Sequence, residues 1–179
     1  MLYMFFAQGF EEVEAIAALD VIRRAGIEIK SVGVGDNSVT GSHGITVICD
    51  TVDSEISVDG IDGVILPGGM PGTTNLYDCD KVHNAIDYCA ENGKLLCAIC
   101  AAPLILGRKG LLDGKEAVCF PGFEDELKGA VISNNFVCTD GNVITAKGMG
   151  SAVNFGLAIV AYLKGQAVAD TLKASLQCS

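Results

Sequence analysis

The sequence predicts an α/β protein in which a mostly parallel sheet carries helices on both faces. One observation behind this prediction is that short apolar runs of strand length alternate with helix-like patterns along the whole chain. Another is the composition: half of the 179 residues are hydrophobic and 19% are charged, as in a chain that folds around a compact core. We expect residues 1–179 to form one domain, because no repeat or linker interrupts the pattern.

Individual elements follow from local patterns. Segment 12–24 carries Val13 and Ile16 at helical spacing and stops at Gly26, and helix 152–164 is apolar nearly all round, which predicts burial in the core or against a partner. The remaining predicted helices lie at 78–92, from Pro103 onwards, around 125–128 and at 166–176. The predicted strands lie at 2–6, 27–34, 63–66, 117–120, 130–133 and 143–146, with a hairpin at 38–49 and a strand that ends at Cys100.

Composition also excludes several classes of function. The formal charge of −10 disfavours nucleic acid as a partner, because phosphate binding needs clustered Lys and Arg. The longest nearly apolar run is too short to span a bilayer, and the N-terminus lacks the basic region of a signal peptide. Eight cysteines lie mostly in apolar strands and helices rather than in loops, so we expect a reduced, cytoplasmic protein without membrane partners.

The sequence around Cys100 is typical of a nucleophile elbow, with cysteine in place of serine. An apolar strand stops at Cys100, Ala98 and Ala102 are small enough for a sharp turn, and Pro103 suits the first turn of a helix. A thiol at such a helix start would face the positive end of the helix dipole, which favours thiolate. The alternative is a buried structural thiol, which is the commoner role of a cysteine.

Two further segments should meet Cys100, because the carboxyl ends of parallel strands share one edge of a sheet. They are the loop at 8–14 and the turn Pro67-Gly68-Gly69. Glu14 could share a proton with Cys100 if burial raises its pKa, although an acidic residue in a first turn also serves the helix dipole. Gly68 and Gly69, with the N–H of Ala101, could stabilise an oxyanion, or could form an ordinary tight turn.

The number and positions of the histidines limit the catalytic mechanisms that Cys100 could use. The chain has two histidines, His43 near the hairpin tip and His83 in a helix, so a triad with a late histidine is absent. Cys97 and Cys100 match C-x-x-C, but an extended spacing separates their α-carbons by about 10 Å, and a disulfide tolerates at most about 7 Å. Zinc ligands are too few. We therefore expect neither a metal nor another cofactor.

Taken together, several motifs resemble the DJ-1/ThiJ/PfpI superfamily, specifically its DJ-1 and YajL branch. The resemblance covers essentially the whole chain. The motifs that carry it are Gly9-Phe-Glu-Glu-Val-Glu14-Ala, Arg23-Arg24-Ala-Gly26, Leu66-Pro-Gly-Gly69, Ala98-Ile-Cys100-Ala-Ala-Pro103 and Gly141-Asn-Val-Ile-Thr-Ala. It implies a flavodoxin-like three-layer sandwich that forms a homodimer.

For the site, the resemblance implies that Cys100 is an oxidation-prone nucleophile and Glu14 its protonated hydrogen-bond partner. Gly68, Gly69 and Ala101 would line an anion pocket. Relatives often have histidine before the proline that here is Pro121, so Phe120 removes a polar group that could assist proton transfer. His43 stands where that branch has an arginine near the pocket. Arg24 is a further pocket candidate.

Two functions fit the same reactive thiol. One is the glutathione-independent conversion of 2-oxoaldehydes to 2-hydroxy acids, or deglycation, with an aldehyde or glycated group as substrate. The other is redox sensing or redox-regulated chaperone activity through oxidation of Cys100 to sulfinate. A plain binding module is disfavoured, because Glu11, Glu12 and Glu14 would repel phosphate.

Overall fold

The computed structural model describes residues 1–178. Its centre is a seven-stranded sheet in the order β10-β11-β7-β6-β1-β2-β5, in which every neighbouring pair is parallel except β10 and β11. Its strands are β1 Leu2–Phe6, β2 Ile29–Gly33, β5 Thr51–Val52, β6 Gly63–Leu66, β7 Leu95–Ile99, β10 Val137–Asp140 and β11 Val143–Ala146. Two small ribbons stand apart: the hairpin β3 Ser38–Thr40 with β4 Thr46–Ile48, and β8 Glu116–Ala117 with β9 Val131–Ile132.

Helices cover both faces of this sheet, as the alternating pattern predicts. They are α1 Glu12–Arg24, α2 Gly72–Tyr77, α3 Asp80–Glu91, α4 Pro103–Arg108, α5 Ala152–Lys164 and α6 Gln166–Ser175. Strand β1 shows how two cores form: Tyr3 and Phe5 pack with α2, α3 and α4, whereas Leu2, Met4 and Phe6 pack with α1 and α5. Helix α6 packs outside α5. The predicted α/β class with a mostly parallel sheet and helices on both faces is confirmed.

Helix α1 does not bury the apolar residues whose spacing predicts it. Val13 and Ile16 are exposed, and the buried face carries Ala15 and Ala18. The small side chains allow α1 to approach α5 closely: a Cβ added at Gly156 of α5 would lie 2.9 Å from the Cβ of Val21. Periodicity locates this helix, but close packing against a neighbour selects which face is buried.

The strands that flank the centre of the sheet end at one edge. β6 lies between β1 and β7, and β7 pairs in parallel with β11, so the segments that follow β1, β6, β7 and β11 leave the sheet on the same side. The predicted meeting of loop 8–14, turn 67–69 and the Cys100 elbow at this edge therefore holds. Among residues 1–178, no helix is both long and apolar enough to span a bilayer.

Candidate active site

Cys100 lies on a strained turn between β7 and α4. Its φ is +65°, a left-handed conformation that costs a residue with a Cβ about 1–2 kcal/mol. Neighbouring backbone holds it there: its N–H donates to the carbonyl oxygen of Ala146 at 2.9 Å, and its own carbonyl accepts from the N–H of Phe120 at 2.8 Å. The strain is the geometry expected of a nucleophile elbow, which presents its side chain above the edge of the sheet.

Glu14 lies in the first turn of α1 and is 1% exposed. The carboxylate of Glu11 caps this turn by accepting the Glu14 N–H at 2.7 Å, which fixes where the helix begins. The Glu14 carboxylate accepts a hydrogen bond from the N–H of Gly68 at 3.0 Å and another from the Cys100 thiol. The structure thus brings together the two residues that the sequence pairs.

Gly68 makes this pairing possible because it has no side chain. An added Cβ would lie 2.6 Å from the Cβ of Cys100 and 2.7 Å from Oε2 of Glu14, closer than side-chain carbons come to other atoms. Gly69 has φ +88°, and a Cβ there would lie 2.7 Å from the carbonyl oxygen of Gly9. The prediction that Gly68 contributes its N–H to an oxyanion is wrong, because that N–H is bound to Glu14.

The ionisation of Glu14 and Cys100 is coupled. Burial raises the pKa of Glu14 from its ordinary 4.5 to about 7. Burial, then the charge of Glu14 and its hydrogen bond, raise the pKa of Cys100 to about 12, although the N–H groups of Gly69 and Ala101 act in the opposite direction. When Glu14 is ionised, these effects favour the Cys100 thiol, and the predicted pairing of a Cys100 thiolate with a protonated Glu14 stays a prediction.

This arrangement suits a proton transfer better than a permanent thiolate. Ionisation of either group raises the pKa of the other, so the pair holds one proton between its two pKa values. An electrophile that reacts with the sulfur of Cys100 would release the thiol proton to Glu14, which is already in hydrogen-bond contact. The N–H groups of Gly69 and Ala101 both lie against the sulfur. Their action on an oxyanion stays a prediction.

Phe120 stands beside this pair, as its candidate role as a pocket residue requires. Its side chain is 47% exposed. Gly148 shows how close the ring is: a Cβ added there would lie 3.3 Å from Cδ2 of Phe120 and 3.9 Å from Oε1 of Glu14. The Phe120 ring and the Glu14 carboxyl group therefore both lie close to Gly148.

His43 is bound to Glu12, and its predicted part in the pocket stays a prediction. Its ring Nδ1 lies 2.9 Å from Oε2 of Glu12, and its N–H donates to Oε1 of Glu12 at 2.7 Å. The N–H of Ile45 and the hydroxyl of Ser42 add weaker contacts of 3.4 Å each. Glu12 thereby ties the tip of the β3–β4 hairpin to the start of α1, and Gly41 leaves room for its carboxyl group.

Arg24 is distant from the reactive pair. It ends α1, about 15 Å along the helix from Glu14. Its Nε donates to Asp20 at 2.7 Å on the exposed side of the helix. A sequence motif placed Arg24 among the candidates, but position along the helix excludes contact with Cys100 in the same chain.

Ligand atoms of Glu11, Glu12 and His43 lie within 4.8 Å of one another, which is close enough to surround a metal ion. Each of the two carboxylates already has a structural partner. Glu11 caps α1 at Glu14, and Glu12 binds the hairpin backbone at His43. Local structure accounts for the cluster, and we assign no metal to it.

Cys97 takes no part in the site. It is fully buried in β7, between Ile65 of β6 and Ile144 of β11, and burial raises the pKa of its thiol. All eight cysteines are free. The interpretation of Cys97 as a core residue rather than a redox partner agrees with this position.

Sequence reasoning overlooked two contributors. Gly148 is one, since it separates the ring of Phe120 from the carboxyl group of Glu14. Glu12 is the other: it reads in the sequence as a first-turn acid, yet it is buried and anchors the hairpin. A buried partner was signalled only by the density of acidic residues in Glu11-Glu12-Val13-Glu14, which exceeds what a helix start needs.

A comparison with protein families shows which family the chain belongs to. The model of the DJ-1/PfpI family matches residues 1–162, which include Cys100, Glu14 and both glycines of the turn. The chain belongs to the DJ-1/PfpI family.

Individual relatives extend this result. Protein DJ-1 homolog A of Arabidopsis thaliana is 35% identical over 95% of this chain, and the chain spans 44% of that protein's length. A Caenorhabditis elegans protein named glutathione-independent glyoxalase DJR-1.2 is 30% identical over 90% of this chain and 87% of its own length. The solved structure of oxidized Toxoplasma gondii DJ-1 matches with a TM-score of 0.95 at 30% identity, over 99% of this chain and 98% of that one.

Proposed function

We propose that this protein converts 2-oxoaldehydes to 2-hydroxy acids without glutathione, with Cys100 as nucleophile and Glu14 as the group that moves protons. The observation that carries the proposal is the hydrogen bond between the Cys100 thiol and a buried carboxyl group whose pKa is about 7. A general base is most effective when its pKa lies near the operating pH. The C. elegans relative named as a glyoxalase supports the same reaction class.

The first step would form a bond between the sulfur of Cys100 and the aldehyde carbon. Glu14 takes the thiol proton as a carboxylate and delivers it to the aldehyde oxygen, which leaves a hemithioacetal and returns Glu14 to its ionised form. The N–H groups of Gly69 and Ala101 would stabilise the negative charge that develops on that oxygen. This step needs no oxidant, because addition of a thiol to an aldehyde leaves the number of electrons unchanged.

In the second step, Glu14 would carry a proton from the former aldehyde carbon to the neighbouring ketone carbon. The first carbon is thereby oxidised to a thioester and the second is reduced to an alcohol, within the same molecule. Water then cleaves the thioester, which releases the 2-hydroxy acid and restores the Cys100 thiol. Because the reaction is an internal redox exchange followed by hydrolysis, it balances without a cofactor.

The test is lactate formation from methylglyoxal by the wild type, Cys100→Ser and Glu14→Gln. We expect the Cys100→Ser variant to be inactive and the Glu14→Gln variant to lose activity by a factor of about 10²–10⁴. Cys178→Ser is the matched control, since this partly exposed cysteine lies near the C-terminus, and it should retain full activity. Equal lactate formation by all four proteins would refute the proposal.

A second candidate function is redox sensing through Cys100. Its side chain is only partly buried, whereas Cys49, Cys89, Cys97, Cys119 and Cys138 are buried. Two equivalents of hydrogen peroxide would convert the thiol to a sulfinic acid and release two waters. Peptide mass spectrometry after mild peroxide should find two added oxygen atoms at Cys100 before Cys79 or Cys178. Indiscriminate oxidation of the three partly exposed cysteines would remove this candidate.

We also propose that the chain forms a homodimer. Exposed apolar side chains on α1 and in the hairpin region support this proposal, because a partner subunit would cover them. They are Val13, Ile16, Ile45 and Ile48. Sedimentation should show a dimer at micromolar concentration for the wild type. Ile48→Glu should shift the protein toward monomer, and the control Tyr162→Glu, which also changes an exposed apolar side chain, should not. A monomeric wild type would contradict the proposal.

A further inference from the structure

A groove of about 370 Å³ opens beside the reactive pair. Most of its wall is apolar, and it holds one charged side chain. The lining residues are Phe120, Pro121, Phe136, Lys147, Gly148 and Met149, with Gly150 and Ser151 at one end. Its size lies within the range of small-molecule sites, which runs from about 300 to 1,000 Å³.

Three large apolar side chains in this groove are exposed to solvent. Phe120, Phe136 and Met149 are 47%, 66% and 55% exposed. None of the three belongs to either hydrophobic core, so core packing does not explain why they lie around one groove. Clustered exposed apolar side chains mark binding surfaces, because contact between apolar surface and water is unfavourable.

Backbone hydrogen bonds hold the segments that carry these side chains. The Phe120 N–H is bound to the carbonyl oxygen of Cys100, so the main chain at Phe120 is attached to the elbow itself. The carbonyl oxygen of Phe136 accepts from the N–H of Lys147 at 2.9 Å, and Lys147 Nζ lies 5.6 Å from the centre of the Phe136 ring. Met149 begins the short 3-10 turn that precedes α5. The main chain on both sides of the groove is therefore hydrogen-bonded to the rest of the fold.

The inner end of the groove reaches the site of reaction. Gly148 lines the groove, and the same face of Gly148 is directed toward both the Phe120 ring and Oε1 of Glu14. A molecule whose aldehyde carbon reached Cys100 would therefore extend its substituent past Gly148 into the groove. A methyl group would leave the groove empty, whereas an aromatic ring would contact Phe120 and Phe136.

We propose that this groove binds the substituent of the substrate and selects aromatic or other bulky apolar 2-oxoaldehydes over methylglyoxal. Phe120, Phe136 and Met149 are then the residues that determine specificity. The proposal rests on the function proposed above. Lys147 would disfavour a cationic substituent and would be compatible with the carboxylate of the product.

The test compares kcat/KM for phenylglyoxal and methylglyoxal. The wild type should prefer phenylglyoxal, and Phe136→Ala should lower that preference about tenfold, mainly through a higher KM for phenylglyoxal. Phe120→Ala should act in the same direction. Tyr162→Ala is the matched control, because Tyr162 is an exposed aromatic residue beside Met1 and Lys94, at the opposite edge of the sheet, and its ratio should equal that of the wild type.

A binding measurement separates failure of this proposal from failure of the proposed function. In Cys100→Ser, mandelate should shift the NMR signal of the Met149 methyl group and lactate should not, whether or not the wild type turns over aldehydes. Absence of a Met149 shift, or an unchanged substrate ratio in Phe136→Ala, would overturn the groove as a specificity site. If mandelate shifts the Met149 signal but no Cys100-dependent turnover is found, only the proposed enzyme activity is refuted. A change of oligomeric state in Phe136→Ala would instead identify the groove as a protein interface and would also overturn the proposal.

Discussion

Glu12 and Glu14 lie in the same turn of α1, and both side chains are buried, yet their acidities differ widely. The pKa of Glu14 is raised to about 7, and that of Glu12 is lowered to about 2. Burial acts to raise the pKa of both. The difference arises both from how strongly burial acts, which is the main cause of the raised pKa of Glu14, and from the donors that surround each carboxyl group.

The two surroundings differ in the donors that they supply. Glu12 accepts from the backbone N–H and the ring of His43 and from the N–H of Ile45, and these bonds outweigh burial. Glu14 has the N–H of Gly68 and the thiol of Cys100, and nearby Glu11 adds repulsion. A buried carboxylate with several donors serves as a structural anchor, and one with few donors keeps a proton that chemistry can use.

Among substitutions of Glu12, Glu14 and His43, Glu14→Gln should show the largest effect on activity. Gln cannot accept the thiol proton, so kcat should fall by a factor of about 10²–10⁴. In the wild type, kcat/KM should rise as pH increases through about 7, because the base works only after Glu14 loses its proton. Measured rate profiles between pH 5 and pH 9 check both points. A profile that stays flat through pH 7 would contradict the role of Glu14.

The same substitution should reveal the free energy stored in the buried carboxyl group. The folded state binds the Glu14 proton more tightly than the unfolded state, so wild-type stability falls as pH rises from 4.5 to about 7. Relative to Glu14→Gln, the wild type should lose about 3 kcal/mol across this range. Urea unfolding at pH 4.5 and pH 8 measures the difference. A constant difference between the two proteins would show that Glu14 titrates normally.

Glu12→Gln should lower the stability of the fold without a comparable loss of catalytic activity. A charged acceptor would be replaced by a neutral one beside His43, and the free energy of unfolding at neutral pH should fall by about 2 kcal/mol. The folded pKa of Glu12 is depressed, so its contribution is present above pH 4.5 and is lost as pH falls toward 2. Chemical denaturation at pH 7 and pH 3 tests this, with Glu55→Gln as an exposed control. Equal stability of the wild type and Glu12→Gln at pH 7 would be evidence against Glu12 as an anchor of the hairpin.

His43→Asn should give the smallest effect. Glu12 raises the pKa of His43, so the ion pair stabilises the fold at low pH and is lost as pH rises through the raised pKa of His43. The variant should therefore differ from the wild type more at pH 6 than at pH 9, by less than Glu12→Gln does. Thermal unfolding at the two pH values measures this, and a larger effect at pH 9 would contradict the ion pair.

Several features of the fold and site follow from local sequence. The apolar run before Cys100, the small residues around it and Pro103 predict the elbow, and the positive φ of Cys100 agrees with it. The sequence did not predict helix α2. Its start is typical of a turn, because Pro71 and Gly72 are followed by polar residues. Strands β5 and β10 are short and partly polar, and they form only because the sheet supplies a partner.

By itself, the sequence determined the α/β alternation, the family resemblance and the absence of a histidine after position 83, and it made Glu14 a candidate partner of Cys100. Only the tertiary structure decided which groups are charged. Glu12, Glu14 and His43 are ordinary acids and bases in the sequence, but their pKa values depend on donors that arrive from the hairpin, from Gly68 and from the elbow. Burial and hydrogen bonding act across space, and local sequence does not encode which segments meet.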